Sequence, residues 1–208
     1  MKPRFQALLR PLTRWLAARG VTANQVTVAA AVLSLATGAI IAARPTSPAV
    51  LFGVPIVLFV RMALNAIDGM LAREHGMKSR LGAVLNELGD VIADAGLYLP
   101  LALVPGVSAI GVVLVVLLGI ISEMAGIVAV QIGADRRYDG PLGKSDRAFA
   151  FGCVAFLLAC GLQPGTWLNI VWGILAALAA VTIVNRSRRA LQIAPAASPG
   201  DTDGGQNS

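Results

Sequence analysis

Long apolar segments alternate with short polar ones over most of the chain. A helix needs about 20 residues to cross the hydrocarbon core of a bilayer. On that basis we predict spans at about 24–43, 50–72, 82–104, 107–132, 148–163 and 167–184. Proline and glycine mark the turns between them, as in Pro105-Gly106 and Pro164-Gly165. The pattern predicts an all-α integral membrane protein whose six transmembrane helices form one domain, residues 23–190.

Two flanking segments have patterns of their own. On a helix, residues 5–16 would place their large apolar side chains on one face and their arginines elsewhere, which predicts an N-terminal interfacial amphipathic helix within residues 1–22. A soluble basic arm is the alternative. The apolar residues are Phe5, Leu8, Leu9, Leu12, Trp15 and Leu16. We predict a disordered tail over residues 191–208, because residues 194–208 are rich in Pro, Gly, Ser and Asp.

Composition and charge agree with a membrane location. The chain is 56% hydrophobic and 13% charged, whereas soluble domains carry about 25% charged residues. The net charge of +6 could suggest a nucleic-acid partner, but the basic residues lie at helix ends, so we expect none. Most of the 17 lysines and arginines fall on one side of the predicted helices. The positive-inside rule then predicts a multi-pass protein of the bacterial cytoplasmic membrane with both termini cytoplasmic.

The second and third predicted spans carry polar side chains at their cytoplasmic ends. A carboxylate at the centre of a membrane helix costs roughly 2.5–3.5 kcal/mol on insertion scales, so a cluster indicates a functional site. Asn65 and Asp68 are three residues apart, and Asn86, Asp90 and Asp94 follow at intervals of four, so each set shares a helical face. Two antiparallel helices would let the two faces meet. Hard oxygen ligands of this kind suit Mg²⁺ or Mn²⁺.

These residues belong to a longer motif, Asn65-x2-Asp68-Gly69-x2-Ala72-Arg73-x8-Gly82-x3-Asn86-x3-Asp90. It resembles the signature D-x2-D-G-x2-A-R-x8/9-G-x3-D-x3-D of the CDP-alcohol phosphatidyltransferase family, with Asn65 and Asn86 in place of two aspartates. The segment Thr22-Ala23-Asn24-x2-Thr27 is similar to the family's Thr-Pro-Asn-x-(Ile/Leu/Val)-Thr entry to the first span.

The resemblance implies an enzyme of phospholipid biosynthesis. Such an enzyme transfers a phosphatidyl group from CDP-diacylglycerol to a small alcohol, which can itself be phosphorylated, and releases CMP. The implied metal ligands for Mg²⁺ or Mn²⁺ are Asn65, Asp68, Asn86 and Asp90, and Asp90 is also the implied catalytic base. The implied CDP-lipid contacts are Asn24, Thr27, Gly69, Arg73 and Ser79. The implied acceptor contacts are Lys144, Arg147 and Arg186. A homodimer is implied by family analogy.

Several alternatives stay open at this stage. An Asn oxygen ligates a hard cation more weakly than a carboxylate, so we expect weaker metal affinity, and a catalytically impaired or regulatory family member is the main alternative. A motif register shifted by one turn would make Asp90 and Asp94 the ligand pair. The acids could instead form a structural ion-pair network with Arg61, or serve a small transporter. Glu123 and Asp146 have no assigned role.

Overall fold

The computed structural model describes residues 2–193, with side chains from residue 5 onward. Within that range every regular element is a helix and there is no strand, which confirms the predicted all-α class. The helices are α1 (Lys2–Ala18), α2 (Ala23–Ala43), α3 (Pro48–Glu74), α4 (Arg80–Tyr98), α5 (Ala109–Gln131), α6 (Lys144–Ala159) and α7 (Thr166–Ile193). A 3-10 segment, Leu99–Leu103, continues α4.

Four of these helices, namely α2, α3, α5 and α7, are long and apolar enough to cross a membrane. The other two predicted spans differ from them for identifiable reasons. Helix α4 carries Glu87, Asp90 and Asp94 within 19 residues, and α6 has only 16 residues and begins at Lys144 rather than at residue 148. The chain is thus a multi-pass membrane protein, while the count of six spans stays a prediction.

The chain ends were predicted only in part. Helix α7 runs to Ile193, so residues 191–193 are helical rather than part of a tail. The rest of the predicted tail, residues 194–208, lies outside the described residues.

Helix α1 lies against α3, and its apolar residues divide between two surroundings. Leu9 and Leu16 pack onto a small core formed by α2 and α3, whereas Leu8, Leu12 and Trp15 are exposed. The helix is therefore present and has an unburied apolar stripe of the kind that interfacial helices insert among lipid headgroups. Its location at a membrane surface stays a prediction.

Side-chain caps explain where α2 and α4 begin. At the start of α2, Thr22 Oγ1 accepts from the backbone N–H of Gln25, and the Gln25 side chain accepts from the backbone N–H of Thr22. This reciprocal capping box satisfies two donors that a helix end leaves free. At the start of α4, Ser79 Oγ accepts from the backbone N–H of Gly82 at 2.9 Å. Both caps fix polar side chains beside the motif.

The rest of the bundle holds these ends in register. Helix α2 packs against both α3 and α4, α3 packs against α6, and α5 packs against α7. In the main core Tyr98 stacks on Phe151, with ring centroids 4.1 Å apart, and Phe151 contacts Trp172. Helices α2 and α4 lie very close together at Gly38 and Gly96. A Cβ on Gly38 would overlap the backbone carbonyl of Gly96. Small residues at such crossings let membrane helices pack closely.

The crossing gives a stability prediction. Gly38→Ala should force α2 away from α4 and destabilise the protein by about 1–3 kcal/mol, the usual cost of overpacking. Thermal unfolding of the detergent-solubilised protein measures the effect. Gly173→Ala is the matched control, because a Cβ there meets nothing within 4 Å. Equal melting temperatures for the two variants would contradict the proposed close contact.

Candidate functional site

The polar faces of α3 and α4 meet near the ends that the short loop after Glu74 connects. Asn65 Nδ2 donates to Asp90 Oδ1 at 3.4 Å across the interface. Asp68 lies one helical turn beyond Asn65, and Asn86 lies one turn before Asp90. Asp68 is buried, and the other three are half-buried. The structure therefore brings Asn65 of α3 into contact with Asp90 of α4, with Asp68 and Asn86 one turn away on their own helices.

Helix α2 supplies a direct partner for Asp68. Thr27 Oγ1 lies 2.9 Å from Asp68 Oδ2, to which it can donate, and 3.1 Å from the carbonyl oxygen of Ala23, a competing acceptor. A hydroxyl has one proton to donate, so donation to Asp68 is favoured by the charge of the carboxylate. Thr27, predicted as a CDP-lipid contact, is thus also placed to orient Asp68.

The other predicted CDP-lipid residues surround the same end of the interface, close to the two motif glycines. A Cβ on Gly82 would lie 2.6 Å from Asn24 Oδ1 and 3.0 Å from Ser79 Oγ. A Cβ on Gly69 would lie 2.9 Å from a terminal guanidinium nitrogen of Arg73. The glycines therefore leave space that these three polar side chains use.

Asp90 has cations on two sides. Lys144, the first residue of α6, forms an ion pair with Asp90 Oδ1. Arg61 Nη2 lies 3.7 Å from the same oxygen and also donates to the backbone carbonyl of Asp90 at 3.2 Å. Helices α3 and α6 thus bring two positive charges, far apart in sequence, to one carboxylate.

Asp94 lies one turn further along α4 and is fully engaged by arginines. Arg61 Nη1 lies 2.5 Å from Asp94 Oδ1, and Arg147 Nη2 lies 3.3 Å from Asp94 Oδ2. All three side chains are buried. This arrangement favours the unshifted motif register, in which Asp90 rather than Asp94 is the last ligand, and gives Asp94 a structural ion-pair role.

Two of the predicted acceptor contacts, Arg147 and Arg186, are buried and bind Glu123 of α5. Sequence reasoning left Glu123 unassigned, although Gly119, Ser122 and Gly126 share its helical face and could have marked a site there. The predicted contact of Arg147 and Arg186 with an acceptor phosphate stays a prediction. Lys144, the third of these residues, lies in the wall of a large cavity between α3 and α6.

Asp146, which also had no assigned role, has a local one. Its Oδ2 accepts from the backbone N–H of Gly143 at 2.8 Å, which caps the start of α6 next to Lys144. It therefore helps to fix the position of the lysine that contacts Asp90.

A cavity of about 670 Å³ lies along the junction of α3 and α6 and is lined mainly by residues of these two helices. Most of its wall is apolar, including Pro55, Leu58, Phe59, Phe149, Phe156 and Leu157. At one end the wall is polar and includes Asn65, Lys144 and Ser145. An apolar groove that ends at charged groups suits an amphipathic ligand with a lipid chain and a polar head.

The oxygen donors gathered here suit a hard divalent cation. Among residues 2–193, no three His, Cys, Asp or Glu side chains come together as a metal-binding group. Two carboxylates, Asp68 and Asp90, are however accompanied by the amide oxygens of Asn65 and Asn86. Such oxygen ligands are typical of Mg²⁺ and Mn²⁺, which keep part of their coordination for water and phosphate.

Comparisons with known proteins match the chain to a family and to a bacterial relative. The family model described as CDP-alcohol phosphatidyltransferase matches residues 20–185. The chain is 47% identical over 191 residues to inner membrane protein YnbA of Escherichia coli (strain K12), covering 92% of this chain and 94% of that protein.

The fold is also found in crystal structures of Mycobacterium tuberculosis phosphatidylinositol phosphate synthase (PgsA1). The structure with CDP-DAG bound has a TM-score of 0.72 at 23% identity and covers 93% of this chain and 96% of that one. The complex with manganese and citrate has a TM-score of 0.72 at 23% identity, and the match covers 93% of this chain and 91% of that one.

The buried arginine pairs of Asp94 give a second stability prediction. Asp94→Asn should strongly lower the melting temperature in detergent, because breaking a buried ion pair leaves uncompensated charge and costs about 3–5 kcal/mol. Asp139→Asn is the control. Asp139 is paired with Arg137 in a loop, where hydrogen bonds from that guanidinium hold the pKa of Asp139 below its usual value. A drop no larger than that of the control would rule out the structural role of Asp94.

Proposed function

The chain belongs to the CDP-alcohol phosphatidyltransferase family, and we propose that it transfers a phosphatidyl group from CDP-diacylglycerol to a small polar alcohol, with release of CMP, in phospholipid synthesis. The observation that carries the proposal is the contact of Asn65 with Asp90, one turn from Asp68 and from Asn86, at the polar end of an apolar cavity that Asn65 lines. The CDP-DAG complex of the structurally similar PgsA1 supports the choice of donor.

The donor would lie with its two parts in different surroundings. Its acyl chains would occupy the cavity between α3 and α6, whose apolar wall matches the polarity of the lipid chains. Its nucleotide would contact the polar side chains gathered at the ends of α2, α3 and α4, namely Asn24, Thr27, Gly69, Arg73 and Ser79. The pyrophosphate would then lie between these regions, beside Asp68 and Asp90.

Asp68 and Asp90, with the amide oxygens of Asn65 and Asn86, would hold Mg²⁺ or Mn²⁺. The manganese complex of PgsA1 supports a cation of this class. When bound, the ion neutralises pyrophosphate charge and stabilises the negative charge that develops on the CMP leaving group. Thr27 would keep the Asp68 carboxylate in place through its hydroxyl.

Asp90 would act as the general base. Its carboxylate would take the proton from the acceptor hydroxyl as the oxygen attacks the phosphatidyl phosphorus. Lys144 and Arg61 hold this carboxylate from two sides. Because its position is already fixed, less entropy is lost when the base and the acceptor are aligned for in-line attack. Lys144 also borders the polar end of the cavity and is the residue best placed to contact the acceptor.

The membrane arrangement is part of the proposal. Six spans would place both termini in the cytoplasm, supported by the concentration of Lys and Arg on one side of the predicted helices. The relative named inner membrane protein supports a bacterial inner membrane. A homodimer is proposed on family analogy.

Turnover of CDP-diacylglycerol tests the function. We expect the purified protein to release CMP in the presence of an alcohol and Mg²⁺ or Mn²⁺, and to stop when the metal is chelated. Retained CDP binding without turnover, over a broad panel of alcohols, would instead favour the catalytically impaired family member that Asn65 and Asn86 suggest.

Removal of the base gives the first catalytic prediction. Asp90→Asn should lower CMP release by about 10²-fold or more, the usual contribution of a positioned general base. The melting temperature should change little, because Asp90 is half-buried and Asp94 carries the buried ion pairs. Glu74→Gln, which removes an exposed carboxylate paired with Arg10, is the control. Normal turnover by Asp90→Asn would remove the base assignment.

The two asparagines give the second catalytic prediction. Asn65→Asp and Asn86→Asp should each tighten Mn²⁺ binding by roughly tenfold, because ligand charge strongly tunes the affinity of hard cations. Titration of the protein with Mn²⁺, followed by electron paramagnetic resonance, measures this. Asn169→Asp, at an exposed position of α7, controls for nonspecific attraction. Unchanged titrations would show that Asn65 and Asn86 are not ligands.

A further inference from the structure

Three arginines converge on the carboxylate of Glu123, deep in the bundle. Arg147 Nη2 lies 3.1 Å from Glu123 Oε1, and Arg186 Nη1 and Arg136 Nη2 lie 3.5 and 3.6 Å from Glu123 Oε2. Arg147 also pairs with Asp94, and Arg136 with Glu87. Glu123 is the one carboxylate that Arg186 contacts within the described residues.

The face of α5 is shaped around one of these guanidiniums. A Cβ on Gly119 would lie 3.0 Å from Arg147 Nε, so this glycine makes room for the arginine. A Cβ on Gly126 would lie 2.7 Å from the carbonyl oxygen of Arg137, so that glycine makes room for the loop after α5. Ser122 adds hydrogen-bond acceptors, its hydroxyl to Arg147 at 3.2 Å and its carbonyl to Arg186.

Little space is left for another anion at this place. The cavity beside Glu123 and Arg147 has a volume of about 10 Å³, which is room for about one water molecule. The 670 Å³ cavity reaches Arg61, Asp94 and Lys144, but its lining does not include Glu123, Arg147 or Arg186. At its polar end the charges of Arg61 and Lys144 are met by Asp90 and Asp94.

We propose that Glu123 is an internal anion that, together with Asp94, offsets the charges of Arg147 and Arg186, so that the acceptor of this enzyme is an uncharged alcohol rather than a phosphate monoester. The proposal rests on the proposed function, because it concerns the second substrate of that reaction. A phosphate placed against these arginines would meet the Glu123 carboxylate, and the two like charges would repel each other. Glu123 is in this sense a specificity-determining residue, without contact with the reacting atoms.

Acceptor preference tests the proposal in the full-length protein. We would measure kcat/KM for CMP release from CDP-diacylglycerol with glycerol and myo-inositol, and with glycerol 3-phosphate and inositol phosphate. The wild type should prefer the uncharged member of a pair by about tenfold or more, as expected from like-charge repulsion. Glu123→Gln keeps the shape of the side chain, frees positive charge, and should shift this ratio towards the phosphorylated acceptor by about tenfold.

The matched control is Glu87→Gln, which removes a carboxylate from Arg136 but leaves Glu123 with Arg147 and Arg186. Its acceptor ratio should equal that of the wild type. A wild-type preference for phosphorylated acceptors would overturn the inference alone, and so would an unchanged ratio in a folded Glu123→Gln variant. If that variant does not fold, the wild-type preference decides. No CMP release with any acceptor would contradict the proposed function and the inference with it.

Discussion

Ionisable side chains inside an apolar helix bundle have to be compensated, and this requirement organises the protein. Asp94 is held by Arg61 and Arg147, which ties α4 to α3 and α6. Glu123 is held by Arg147 and Arg186, which ties α5 to α6 and α7. A buried pair of this kind contributes little net stability, but removal of one partner is costly. The pairs therefore act mainly by fixing how the helices sit relative to one another.

The acidic residues divide into those that form buried ion pairs and those that remain available for the proposed chemistry. Asp94 and Glu123 are already paired with buried arginines. Asp68 instead accepts from Thr27, and Asp90 is half-buried and contacts Asn65, which lines the large cavity. Asparagines at positions 65 and 86 make that interface less acidic than four aspartates would. Lys144 offsets part of the remaining charge at Asp90. The remaining negative charge and oxygen donors suit a hard divalent cation.

Contacts within one helix could be predicted from the sequence, and contacts between distant helices could not. The spacing of Asn65 with Asp68, and of Asn86 with Asp90, was enough to predict that each pair shares a face, and the short loop between α3 and α4 brought the faces together. The pairing of Lys144 with Asp90 depends on how α6 lies relative to α4, and the pairing of Glu123 with Arg147 and Arg186 depends on how α5 lies relative to α6 and α7. Local sequence pattern does not encode these arrangements.

The same limit explains the other differences. Apolar residues of α1 were predicted to share one surface, but the docking of α1 on α3 partly buries Leu9 and Leu16 and leaves Leu8 exposed. The sequence suggested Arg61 as a possible partner of the acids in general, and the packing of the helices pairs it with Asp94.

The most direct measurement is anomalous diffraction from crystals grown with Mn²⁺ and CDP-diacylglycerol. A peak bounded by Asp68 and Asp90 is expected, and ordered Mn²⁺ elsewhere, with these carboxylates facing separate surroundings, would contradict the enzymatic interpretation.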